Sequence, residues 1–188
     1  MSDLCDENTM QTLVKSMQSG DGNDIGAINA LLSEYPNDPR LHFLKGSIHV
    51  GEGNLIEGHS ALTRAVEIAP DFAIARFQLG FFQLTSGESS NALKTWARLD
   101  QLPEKHYLKT FVVGLRHLIR DEIAECIKTL KEGIENNEEN LPLNNDMNLI
   151  ITQVTPLLDG ETQKDSGEVE ISSTSFILNQ FPGSDTEH

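Results

Sequence analysis

Gly46, Gly80 and Gly114 stand 34 residues apart, and most other landmarks of the chain keep the same step. Phe43, Phe77 and Phe111 keep it, as do Val50, Leu84 and Leu118. Leu62, Trp96 and Leu130 repeat it in a second helical stretch, and Pro36 and Pro70 repeat it between stretches. A fixed period of this length marks arrays of helix-turn-helix units, each too small to bury its own apolar face. It predicts an all-α chain assembled by stacking, and such arrays mostly present surfaces to other proteins.

Within each period the pattern is consistent with packed helices. Gly or Ala at a helix contact lets two axes approach, and the 3.6-residue period gathers large apolar residues around that contact. Met10, Leu13, Val14 and Met17 predict a helix over 7–18. Gly20, Asp21, Gly22 and Asn23 break it, and Asp24 is the expected N-cap of the next helix. Further helices are expected near 25–35, 39–51, 55–69, 73–86, 89–101, 106–120 and 122–136. Connections as short as Gly51–Asn54 and Ser86–Glu88 make each pair antiparallel. After the polar stretch 136–140, a helix over 143–157 is the candidate cap for the last unit, with Pro156 and Gly160 marking its end. The expected layout is a repeat domain over 1–158, with units 5–38, 39–72, 73–106 and 107–140, followed by an acidic tail over 159–188.

This register resembles the tetratricopeptide repeat family, whose pattern has Leu-Gly in the first helix, a turn Gly, a second-helix Ala and a closing Pro. Leu79-Gly80, Gly87, Ala92 and Pro103 match it best. Gly46, Gly53, Ala65 and Pro70 match it in the preceding unit, where Lys45 replaces the usual Leu. The next unit keeps Gly114, with Asp121 in place of the turn Gly and Gly133 in place of the small residue. The resemblance implies a right-handed α-solenoid whose concave face is lined by the first helix of each unit.

Composition narrows the partner. A formal charge of −15 argues against nucleic acid and anionic membrane. No apolar run reaches the ~20 residues that span a bilayer. The N-terminus is acidic and lacks the basic and apolar regions of a secretory signal, so a cytoplasmic protein is expected. Cys5 and Cys126 are too few for a disulfide framework. Cys126 falls where neighbouring units carry Gly58 and Ala92, which suits a small buried hydrophobe, and nearby Asp121, Glu122 and Glu125 would raise its pKa.

The stretches 39–50, 73–86 and 107–120 contain no acid, yet carry Arg40, Lys45, Arg76, Lys109, Arg116 and Arg120, with His42, His49 and His117. If these helices line a groove, it is basic inside an acidic protein and attracts an acidic segment. Alternatively the basic side chains pair with acids of other helices, each pair contributing ~0–1 kcal/mol. Between them run Phe43, Phe77, Phe81, Leu84, Phe111, Leu115 and Leu118. Phe43, Phe77 and Phe111 suit core packing or groove lining, whereas Phe81 and Leu115 share the register of Ser47 and are expected to face the groove. The candidate binding set is Arg40, Phe43, Ser47, Arg76, Phe77, Phe81, Leu84, Phe111, Leu115 and Arg116. It implies a protein or peptide partner, acidic with apolar anchors.

The Lys/Asn/Arg clamp by which some tetratricopeptide modules hold chaperone C-termini is absent; its places hold Phe43, Ser47, Gln78, Leu108 and Val112. The tail 159–188 carries seven acids against one Lys, a composition that predicts disorder, around an apolar island over 175–181. Phe176, Ile177, Leu178 and Phe181 are expected to dock, on the groove or on a partner. No metal-ligand spacing, phosphate loop or nucleophile elbow is present, so no enzyme activity and no cofactor are expected. The other reading, from similarity in size and charge, is a dedicated chaperone or assembly factor for a bacterial secretion or membrane-associated machine.

Overall fold

The computed structural model describes residues 4–19 and 23–158. They form helices α1 (Glu7–Ser19), α2 (Asp24–Glu34), α3 (Pro39–Gly51), α4 (Leu55–Ile68), α5 (Ala73–Thr85), α6 (Ser89–Trp96), α7 (Tyr107–Ile119), α8 (Ile123–Asn136) and α9 (Leu141–Leu158), with no strand among them. A 3-10 turn, Ala97–Gln101, continues α6, so the helix expected over 89–101 is α-helical only to Trp96. The chain divides into two compact units, Met1–Leu79 and Gly80–His188, with the boundary inside α5.

In the first unit α3 and α4 are locked by small residues. A Cβ placed on Gly46 would lie 2.7 Å from Leu62 Cγ, and one on Gly58 would lie 2.7 Å from Val50 Cγ2. Neither position tolerates a side chain without the helices moving apart. A separate cluster of Cys5, Met10, Leu13, Ile28 and Leu41 joins α1 and α2 to α3, with Leu31, Leu32, Leu44 and Ile48 packed around it.

In the second unit the same device recurs at the same spacing. Gly80 abuts Trp96, and a Cβ on Gly114 would lie 2.7 Å from Leu130 Cδ2. Trp96, Phe111, Leu115, Leu118, Leu130 and Met147 are fully buried. α9 contributes Leu143, Met147, Ile150, Ile151 and Val154 to the core, starts earlier than the sequence suggests, and runs through Pro156 to Leu158. A proline lacks the N–H for a helical hydrogen bond, yet Pro156 here lies inside the last turn instead of ending the helix.

The turns repeat as well. Gly53, Gly87 and Asp121 all adopt positive φ, at 79°, 82° and 60°. After each, the next amide reaches back to a carbonyl five residues earlier: Asn54 N–H to His49 C=O (2.8 Å), Glu88 N–H to Gln83 C=O (2.8 Å) and Glu122 N–H to His117 C=O (2.9 Å). This left-handed C-terminal motif satisfies carbonyls that a helix end leaves open.

Helix starts differ more. Asp38 caps α3 by accepting from Arg40 N–H, and His106 caps α7 by accepting from Leu108 N–H. Asp24 is not the cap of α2, as the sequence suggested; it is the first helical residue, and Asn23 occupies the cap position without a side-chain cap bond.

Candidate functional site

The acid-free stretches correspond to α3, α5 and α7, and the surface they offer is smaller than the sequence suggested. Phe77, Phe111 and Leu115 are 0% exposed and Leu84 is 2% exposed. Leu115 therefore does not face a groove: its register matches Ser47, but its side chain is sealed into the core of the second unit. Leu84, Phe77 and Phe111 are likewise core, and Phe111 meets the close approach at Gly133, where a Cβ would lie 2.5 Å from its ring. Arg40, Phe43, Ser47, Arg76, Phe81 and Arg116 keep partial exposure.

In the first unit Phe43 packs on Phe72, ring centroids 5.3 Å apart. Beside it the Ser47 hydroxyl lies 2.6 Å from Gln78 Oε1 and 2.9 Å from the Phe43 carbonyl. Arg76 grips the Pro70 carbonyl through Nε (2.9 Å) and Nη2 (2.7 Å). One period earlier His42 Nε2 holds Pro36 C=O at 2.8 Å, the same tie made by a different side chain.

The cationic side chains are engaged by their own chain. Lys45 donates to Asn29 Oδ1 at 2.8 Å. Lys109 meets Glu104 at 2.6 Å and the Leu102 carbonyl at 3.2 Å. Arg116 forms a two-pronged pair with Asp100, at 2.7 and 3.1 Å. His117 and Arg120 both approach Glu122, at 2.5 and 3.9 Å.

Arg40 is the most heavily committed. Its Nε and Nη2 hold the two carboxylate oxygens of Asp38 at 3.0 and 2.7 Å, Nη2 also reaches Cys5 C=O at 2.5 Å, and Nη1 lies 3.3 Å from Glu7. Cys5 N–H in turn donates to Asp38 Oδ2 at 2.9 Å. Burial opposes the Asp38 charge, but hydrogen bonds from Arg40 and Cys5 outweigh it and hold the carboxyl below its ordinary range. Sequence reading missed this cluster because its partners lie 33 to 35 residues apart with no motif to mark them.

The two thiols are free and buried. Cys126 is pushed up to about 12, and the cause is burial; the neighbouring acids expected to raise it are not responsible. It is a packing residue, 0% exposed like Ala92 one period earlier. An open depression of about 310 Å³ is lined by Asn23, Asp24, Ile25, His49 and Glu52. Among the described residues no group of three His, Cys, Asp or Glu side chains is placed to hold a metal ion, there or elsewhere. No helix among them is long and apolar enough to cross a membrane. Phe176, Ile177, Leu178 and Phe181 lie outside the described residues. Neither a protein-family model nor a curated protein sequence matches the chain.

Proposed function

We propose that the chain is a non-enzymatic protein-interaction module: a tetratricopeptide-like, right-handed solenoid of antiparallel helix pairs, with α9 as its terminal cap. One observation carries this reading. The 34-residue step recurs as the same glycine contact (Gly46 on Leu62, Gly80 on Trp96, Gly114 on Leu130) and as the same left-handed residue (Gly53, Gly87, Asp121). A chain that spends its small residues on repeating one helix-pair joint is organised to build an extended surface.

The partner is a peptide or helix with apolar anchors. In the first unit it meets the half-buried Phe43, with Ser47 and Arg76 as polar contacts, and in the second unit the half-buried Phe81 and Arg116 are the corresponding candidates. Partner carboxylates would exchange with Asp100 and Glu104, whose side chains are 49% and 90% exposed. Exposed ion pairs contribute only ~0–1 kcal/mol each, so that exchange costs little. Arg40 is excluded from this role, because its partner Asp38 is fully buried.

Affinity capture from source-cell lysate followed by mass spectrometry tests the reading. Wild type, Phe43→Glu and Phe81→Glu are compared, each checked for unchanged helicity. A partner held by wild type and lost by either variant supports the surface; a partner set identical in all three rejects it.

A further inference from the structure

The α3–α4 pair and α1 are held by different means. α3 and α4 interlock through Gly46 on Leu62 and Gly58 on Val50. α1 contains no glycine, and of its residues only Met10 and Leu13 are buried. What fixes its start is polar: Asp38 accepts the Cys5 N–H, Arg40 donates to the Cys5 carbonyl, and Glu7 closes on Arg40. Both main-chain groups of Cys5 are thus held by one buried carboxylate and one guanidinium, and its side chain is 3% exposed inside the cluster of Ile28 and Leu41.

We propose that residues 4–19 form a strap that opens as a unit while α3 and α4 stay packed, and that the Asp38–Arg40 pair is its latch. Opening uncovers Ile28 and Leu41 together with their half-buried neighbours Leu31, Leu32, Leu44 and Ile48. Loss of the latch removes charge-assisted hydrogen bonds from one end of the strap. Asp38 also caps α3 through Arg40 N–H, a role that Asn fills equally well, so Asp38→Asn shifts the strap's equilibrium without touching the cap or the glycine joints.

The chain supplies its own reporters, because it has two cysteines, one in the strap and one in α8, both buried when closed. Thiol labelling of the full chain under native conditions is followed by mass spectrometry, each rate divided by that of the same thiol in the urea-unfolded chain. Wild-type Cys5 is expected to label well ahead of Cys126. Asp38→Asn and Arg40→Lys are expected to speed Cys5 by about 10- to 100-fold, the range for lost hydrogen bonds to charged groups, and to leave Cys126 unchanged. Hydrogen exchange on the same samples should show faster exchange in α1 and unaltered protection in α3 and α4. Equal labelling of the two thiols in wild type overturns the strap. Latch variants that leave Cys5 unchanged, or that accelerate Cys126 or α3–α4 exchange equally, overturn the latch. If either variant fails to fold, the wild-type thiol comparison and its α1 against α3–α4 exchange still decide whether the strap opens separately.

Discussion

Gly80 lies against the indole of Trp96 so closely that no side chain fits between them: a Cβ at position 80 would approach within 2.6 Å of the ring carbon Cδ1. Trp96 is fully buried and closes α6, so the ring has nowhere to retreat. Gly80→Ala gains ~1 kcal/mol of helix propensity. It also forces overpacking that costs ~1–3 kcal/mol or more, and the second effect wins. Urea unfolding of Gly80→Ala is expected to show lower stability. Gly51→Ala is the control, since nothing lies within 4 Å of its added methyl and its φ is not positive. That variant should be neutral or slightly more stable.

Asp121 occupies the left-handed position that Gly87 and Gly53 fill one and two periods earlier. An L side chain there pays a steric penalty that glycine avoids, although Asp tolerates the region better than most. Asp121→Gly is expected to stabilise the second unit by about 0.5–1 kcal/mol, and Gly87→Ala to destabilise it by about 1 kcal/mol. Thermal unfolding of the two variants checks the opposite signs. If Asp121→Gly lowers Tm, the turn is held by the Asp side chain and not merely endured.

The periodic part of the fold was legible because it depends on residue size at fixed spacing. Gly46, Gly80 and Gly114 announce a close helix contact from sequence alone, and Leu62, Trp96 and Leu130 announce its other side. Asp121 shows the limit of reading types instead of positions: the turn conformation survives where the glycine does not. The side-chain surface was legible only in part. Leu115 shares the register of Ser47, yet one is sealed and the other half-open, because exposure depends on which helix covers the position. The basic side chains were visible as a class, and the alternative that they pair with acids holds for Arg116 on Asp100, Lys109 on Glu104 and Arg120 on Glu122. The Pro70 carbonyl, Leu102 carbonyl and Asn29 are partners that no charge pattern picks out.

Asp38 makes the strap sensitive to acid. Its folded-state pKa is depressed, so its contribution is fully present above the unfolded value, ~3.9, and is lost as pH falls through the folded value. Arg40 and the Cys5 N–H bond the Asp38 carboxylate directly, with Arg40 providing the dominant stabilising bonds; Glu7 acts on Arg40, and Asp6 and Glu34 act on the adjoining Cys5 thiol. Asp38→Asn is expected to lose about 1–3 kcal/mol at pH 7 and nothing further once the wild-type carboxyl is protonated. The gap between the urea midpoints of the two proteins, constant from pH 7 down to the unfolded value, should narrow as pH falls below it toward pH 3. Parallel curves would mean that Asp38 acts through packing and not through charge.

Asp146 has the opposite sign. It sits half-buried in α9, and burial alone raises its pKa above the ordinary carboxylate value. The folded chain therefore binds the proton more tightly than the unfolded one, and stability is lost as pH rises from the unfolded value through the raised folded one. Above that window the ionised carboxylate works against the fold by a constant amount. Asp146→Asn keeps the shape and removes the charge, so it should raise stability at pH 7 and leave it unchanged below the unfolded value, at pH 3. The same pH series that narrows the gap for the Asp38 variant at low pH should bring this one down to wild type from the stable side. A fall in stability at pH 7 would show that the Asp146 carboxylate is paired in solution, and that α9 depends on its charge.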